Sequence, residues 1–504
     1  MKNTLFTLLS LLLGTFVLSA CGDDEPIPND NGGKQEYLNM RSCTIAEGQE
    51  VMASEVSVIT LNFSERVSVT PSAKITLNGQ PVQAQSSKVT TMSVDVLVSL
   101  NPGLEYTMEV PTGAFVSVNN ANKISAPYIL HFKTQKTGEQ ALPDNGAMKV
   151  TRMLGFGWNL GNHFDSHNNG QPVPESWGSW WDRATPTEAL YQSLAKAGVK
   201  TIRIPVTWGC WQGEAPEYLI DANYMATVKQ NVLWAKAAGL YVVLNTHHDE
   251  YWQDAFAASG TTAVNDELKA RIAATWTQIA EAFKNEGEYL ILETFNELNH
   301  NWQTPTSGEL TIMNEWNQVA VDAIRSTGGQ NATRWIAVPS YQASPALALR
   351  DEFKLPADAA KKLIVAVHCY DPYNFTLAEK LTTTWGTEGD KLAITKLLNQ
   401  LKAKFIDQDI PCYLGEFGCS RHATEEENRI RDYYLEYFCR AAHFAGLAAC
   451  LWDNHNPGEG SEHHAFFSHN DGSWMDGQEA IVKTMIKAVT SSDPQYTLES
   501  IQKK

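Results

Sequence analysis

At 504 residues the chain is longer than one ordinary hydrophobic core, so two folded parts are expected. Hydrophobic residues make up 43% and charged residues 19%, which excludes a disordered chain. The net charge of −18 argues against nucleic acid or anionic lipid as a partner and is compatible with a neutral polysaccharide, although an acidic surface also serves plain solubility.

Residues 1–20 read as a processed leader: Lys2 gives a positive start, Leu5 to Val17 an apolar run too short for a bilayer, and Leu18-Ser19-Ala20 a set of residues before Cys21. The segment Leu18-Ser19-Ala20-Cys21 resembles a bacterial lipobox, in which the cysteine is lipidated. Gly22-Asp23-Asp24-Glu25 resembles the surface-export signal of Bacteroidetes lipoproteins. These resemblances imply a lipoprotein of the outer membrane, anchored through Cys21 and facing outward at the cell surface. The other seven cysteines have irregular spacing and form neither a disulfide framework nor a zinc pattern, with an isolated disulfide left open. Cys210, Cys369, Cys412 and Cys450 fall in or beside predicted strands and read as buried packing.

Residues 21–38, rich in Asp, Asn, Gly and Pro, read as a flexible tether. Across 39–137 short β-prone segments alternate with turns such as Asn78-Gly79, which predicts a small all-β sandwich. The run from FSERVSVTP to FKT resembles bacterial Ig-like domains attached to surface enzymes. It contains no tryptophan and no aromatic row suited to sugar stacking, so a spacer is expected. Residues 138–145 read as a linker.

From 146 to 490 strands alternate with helices. GFGWNLGN (155–162), TIRIPVTW (201–208), YVVLNTHHD (241–249), LILETFNE (290–297), RWIAVPSY (334–341), LIVAVHCYDP (363–372), CYLGEFG (412–418) and ACLWDN (449–454) are the predicted strands. Helices are expected near 187–197, 222–238, 264–286, 308–327, 390–407, 424–445 and 477–489, with the fifth helix unclear. Gly198, Gly239, Gly287, Gly328 and Gly446 stand as stops. Eight βα units predict an α/β fold, a (β/α)8 TIM barrel; an open doubly wound sheet would want GxGxxG, which GWNLGN does not supply. Residues 491–504 read as a C-terminal tail.

Two of these strands, LILETFNE and CYLGEF, are apolar runs that close on an acid, Glu297 and Glu416. Two acids at two strand mouths of one barrel can face each other across a cleft, the equipment of glycoside hydrolysis. Arg203, His247, His248, Asn296, His368, Tyr370 and Trp452 also sit at strand ends, more polar groups than packing explains.

GWNLGN, RIPVTW, NTHHD, FNE, HCYDPYNF, GEFG and LWDN, in that order, resemble glycoside hydrolase family 5, the cellulase family, over nearly all of 146–490. PESWG with GWNLGN resembles its endo-β-1,4-glucanase and xyloglucanase subfamily. The resemblance implies Glu297 as acid/base and Glu416 as nucleophile, with Arg203, His247, His248, Asn296, His368, Tyr370 and Trp452 as substrate-binding surroundings. Two departures bear on subsites: Leu298 replaces a proline after FNE, and FTLAE stands where the family has a histidine.

Glu293 lies one layer below Glu297 and reads as a structural ion pair. His247-His248-Asp249 and Glu462-His463-His464 lack a metal-ligand pattern, and two-carboxylate hydrolysis requires no metal, so no metal and no cofactor are expected. All fifteen tryptophans lie beyond residue 150, and about half of those in loops are expected along a multi-subsite groove. The expected partner is plant cell-wall β-glucan, cut internally by a monomer that binds no nucleic acid. The alternatives are a β-mannanase or mixed-linkage glucanase and, in another class, a surface glycan-binding lipoprotein.

Overall fold

The structure is a computed structural model that describes residues 35–503, apart from 52, 54–55, 88–90, 101–102, 135–141, 169, 173–178 and 250–261. The leader, Cys21, the tether up to residue 34 and the PESWG segment lie outside the described residues.

Strands from Glu36–Tyr37 to Tyr128–Thr134 form small, mostly antiparallel sheets. Their alternation is that of half-buried strands: Ile59, Leu61 and Phe63 face inward from Val58–Phe63, and Leu130, Phe132 and Thr134 from Tyr128–Thr134. The expected tether ends sooner than predicted. Glu36–Tyr37 pairs with Lys123–Ile124 and Leu38 is buried, because a free strand edge was available to hold them.

The larger unit is a closed parallel barrel of eight strands: β1 (Phe156–Asn159), β2 (Thr201–Ile204), β3 (Tyr241–Asn245), β4 (Leu290–Glu293), β5 (Ile336–Pro339), β6 (Leu363–Cys369), β7 (Cys412–Phe417) and β8 (Ala448–Leu451). Strand β8 pairs back onto β1, so no edge is left. Alternate residues point in and out. Leu290 and Leu292 of β4 join the core under the helices, while Ile291 enters the lumen with Val243, Ala337, Ile364, Ala366, Tyr413, Ala448 and Cys450. Val150 and Leu154, from the helix Gly146–Leu154, pack into that lumen cluster. Thr201 at the start of β2 donates to the Leu154 carbonyl, so this helix plugs the end remote from the strand mouths. Above the apolar layer the lumen turns polar, with Asn159, Arg203, Asn245 and Glu293 all buried.

The helices that cover the strands fall within a few residues of expectation, from Glu188–Ala197 to Glu479–Thr490. Gly198 ends the first of them at φ 105°, in the left-handed cap that only glycine adopts without strain. Gly287 does not play that part: its helix stops at Ala282, five residues earlier. The unclear fifth helix is a single turn, Pro345–Ala348. The expected tail after 490 is packed, with Leu498 and Ile501 buried and Arg440 donating to the carbonyls of Ser491 and Tyr496. The seven described cysteines are all free thiols, Cys43 and Cys210 half-buried and the rest buried.

Candidate active site

Glu416 owes its position to an irregularity. On β6 and β7, Val367 pairs with Leu414 but the next residue, His368, pairs with Glu416, so Gly415 is an extra residue bulged out of the ladder. Such a bulge re-aims the side chain beside it. A Cβ at 415 would lie 3.0 Å from the His368 ring, so any side chain there would push on that ring. Glu297, four residues past the end of β4, reaches the same spot. One carboxylate oxygen of Glu297, one of Glu416 and a ring nitrogen of His368 lie within 4.8 Å of one another. His368 Nδ1 is 2.5 Å from Glu297 Oε1 and 3.6 Å from Glu416 Oε2. Tyr370 donates to Glu416 Oε2 at 2.9 Å.

Arg203 is the fixed point beneath them. Its Nε and Nη2 donate to Glu293 Oε1 at 2.9 and 2.7 Å, Nη1 donates to Asn159 Oδ1 and Glu416 Oε1 at 3.0 and 2.7 Å, and Nη2 donates to Asn296 Oδ1 at 2.7 Å. These bonds use all five guanidinium N–H groups. Arg203 is therefore not a substrate-binding residue as grouped from sequence; it is fully buried, with no donor left for a sugar. It orients two groups that do reach the cleft. A guanidinium only donates, so Asn296 must turn its oxygen down and its NH2 up toward the cleft. Glu293 completes the layer, paired with Arg203 and accepting from Asn245 Nδ2 at 3.1 Å and from Tyr413 OH, the structural ion pair expected of it.

His247 and His248 both line the cleft, and each Nε2 lies 4.0 Å from Asp165 Oδ2. This trio has the composition of a metal site, but its protons do not fit one. Val206 N–H donates to Asn245 Oδ1, which leaves Asn245 Nδ2 as the donor to His247 Nδ1 at 3.2 Å. Burial holds His247 well below its ordinary pKa, so the neutral ring carries its single proton on Nε2, where a metal would need a lone pair. Trp452 lies parallel to the His247 ring, 6.0 Å between centroids, and lines the same cleft.

Burial pushes Glu297 up to about 7, against the pull of Arg203 and with help from Glu293. The first cause is burial, and the helping charge is Glu293 in the layer below. Burial also raises Glu416, opposed by His368, Arg203 and the Tyr370 hydrogen bond and abetted by Glu297. His368 is pushed down to about 4, again by burial first, so near neutral pH it is an uncharged partner to Glu297. The arrangement can hold a proton on Glu297 while Arg203 and Tyr370 support charge on Glu416.

The cleft encloses about 790 Å³. Its outer walls carry two exposed aromatic rings, Trp302 (65% exposed) and Tyr373 (56%), and Leu377 stands in the FTLAE segment that replaced a family histidine. Among the described residues, Trp302 is a loop tryptophan that lines the cleft and several others turn inward. Trp208 and Trp385 are buried, and Trp211 stacks on Tyr224, because the βα loops have cores of their own. Trp177 and Trp252 lie outside the described residues. Sequence reasoning missed a second buried network: His469 sits between Asp182 and Asp453, its Nδ1 3.1 Å from one carboxylate and its Nε2 3.3 Å from the other. Asp453, inside LWDN, also accepts from Trp158 Nε1 and from the Phe466 and Phe467 N–H groups. Its place in that motif was the one available signal.

A closed parallel barrel with two carboxylates converging over one cleft at its strand mouths is the architecture of a barrel glycoside hydrolase. Residues 164–458 match the sequence profile of cellulase, glycosyl hydrolase family 5, and residues 34–134 that of a bacterial Ig-like domain. The chain belongs to glycosyl hydrolase family 5. Endoglucanase A of Clostridium longisporum is 33% identical over 62% of this chain, and the match spans 60% of that protein's length. Among solved structures, a native Bacteroidetes-affiliated GH5 cellulase linked with a polysaccharide utilization locus is 35% identical at a TM-score of 0.68, covering 71% of this chain and 97% of its own. A GH5-4 broad specificity endoglucanase from Bacteroides salanitronis is 38% identical at a TM-score of 0.64, covering 70% of this chain and 97% of its own.

Proposed function

We propose that the protein is a retaining endo-β-1,4-glucanase that accepts xyloglucan among other β-glucans. The observation that carries this is the Glu297–Glu416 pair, with oxygens within 4.8 Å, in keeping with the ~5–5.5 Å separation of retaining enzymes. In this reading Glu416 attacks the anomeric carbon while Glu297 gives its proton to the departing glycosidic oxygen. Glu297, now ionised, takes a proton from water, and that water releases the sugar from Glu416. The NH2 of Asn296 meets the 2-hydroxyl of the attacked sugar, a contact that tightens in the transition state. Neutral His368 orients Glu297, His247 and His248 offer donors to further hydroxyls, and Trp452, Trp302 and Tyr373 offer faces for stacked pyranose rings. The broad-specificity and cellulase relatives support a β-glucan backbone.

The leader motif supports lipid anchoring at Cys21 and display on the outer-membrane surface, with the Ig-like unit as a spacer. Among described aromatics of that unit only Tyr37 is largely exposed. The deciding assay measures product anomers and product lengths on xyloglucan, barley glucan, carboxymethylcellulose and mannan. Retained β-configuration with mid-chain products from glucans is expected. Inversion, or a preference for mannan, overturns the reading. Cys21→Ser should release the protein from the membrane fraction.

A further inference from the structure

Glu462, in the loop after β8, lines the cleft beside Glu416, and the chemistry above does not use it. Its backbone is left-handed, φ 61°, a conformation uncommon for a residue with a Cβ. Two amides hold it there. Asn454 and Asn456 each donate through Nδ2 to the Glu462 carbonyl at 2.9 Å. Asn454 is itself buried at the mouth of β8, its Oδ1 accepting from the N–H groups of His464 and Asn456 at 3.2 Å. The loop is thus pinned so that an exposed carboxylate stands on the cleft wall. That carboxylate receives one long bond, 3.4 Å from Asn454 Nδ2, and among the described residues no Lys or Arg pairs with it.

A carboxylate that is held by its backbone, open to a cleft and unneutralised has two chemical effects. It accepts charge-assisted hydrogen bonds from sugar hydroxyls, and it repels an anionic substituent in the same place. We propose that Glu462 is a specificity-determining residue that accepts hydroxyls of a neutral sugar beside the catalytic pair and turns away glycans bearing carboxylates there. This rests on the glucanase reading above. The crowding of protein around it, then the charges of Glu416 and Glu297, push Glu462 up to about 7 against the opposing pull of His463, so the discrimination strengthens as pH rises through neutrality.

The test uses the full chain and its Glu462→Gln and Glu462→Ala variants on barley glucan, which is neutral, and carboxymethylcellulose, which is anionic. Loss of a charge-assisted bond should raise KM on barley glucan about tenfold in the alanine variant, with kcat changed less. The glutamine variant should recover part of that KM, and its kcat/KM for carboxymethylcellulose relative to barley glucan should rise by about threefold or more, most clearly above pH ~7. If both variants keep the wild-type ratio of the two substrates, Glu462 has no such role, and only this inference falls. If the wild-type chain cleaves neither polymer, the glucanase reading falls and takes this one with it.

Discussion

Arg203 commits every N–H it has, so a lysine in its place cannot serve the same partners. A lysine has three donors on a single nitrogen and cannot span Glu293, Asn159, Glu416 and Asn296 together. Arg203→Lys should therefore lower kcat as Glu416 and Asn296 lose their orientation. It should also cost about 1–3 kcal/mol of stability, because three donors leave at least one of those four buried partners without its hydrogen bond, measurable by chemical denaturation. Glu297→Gln tests a different link. It leaves the geometry near wild type but removes the proton, so kcat on polysaccharide should fall by roughly 10²–10⁴. The fall should be much smaller on an aryl glycoside whose leaving group needs no protonation. As the acid of the proposed mechanism Glu297 works in its protonated form, and burial pushes it up to about 7, so kcat/KM should decline as pH rises above about 7. A plateau extending well past that point would contradict the acid role.

At the scale of elements, the loops after β1 and β8 are joined by His469, which bridges Asp182 and Asp453. Both ring nitrogens face carboxylates, so the ring is held as an imidazolium, pushed up to about 9 by those two partners against the cost of burial. A cation of raised pKa stabilises fully below its ordinary value of 6.5 and loses that contribution as pH rises toward 9. The wild type should therefore lose on the order of 3 kcal/mol across that window, and His469→Gln, already destabilised at neutral pH, should lose much less. Melting curves at both ends of the window separate the two. This network shows where sequence reading stops. Glu297, Glu416, His368 and Tyr370 were legible because each ends or follows an apolar run, and strand mouths converge in any closed barrel. Asp182 and His469 are 287 positions apart in loops with no periodicity, so nothing local announced that they meet. The Gly415 bulge was equally hidden, since it is a property of two strands in register. Arg203 was found but misassigned: its strand position was readable, while the exhaustion of its donors depends on four partners from three other strands or their ends.

For the whole molecule, the question is whether catalysis belongs to the barrel alone. The barrel has a continuous core, its own lower plug in Gly146–Leu154, and a C-terminal segment folded back onto it through Arg440. The related solved structures cover about 70% of this chain and nearly all of their own length, so barrels of this kind stand without an Ig-like partner. A chain beginning near residue 142 keeps Asn145, whose side chain accepts from Met148 N and caps the plug helix. It should fold, and its kcat/KM on soluble xyloglucan should stay within about twofold of the full chain, because the cleft residues all come from the strand mouths and loops of the barrel. A start at residue 156, which removes the plug and opens Val243, Ile291 and their neighbours to water, should instead fail to fold or lose several kcal/mol, at ~25 cal/mol for each Å² of apolar surface exposed. Equal behaviour of the two truncations would show that the plug helix is dispensable. A large loss of soluble-substrate activity in the longer one would show that the Ig-like unit contributes to the site rather than to reach.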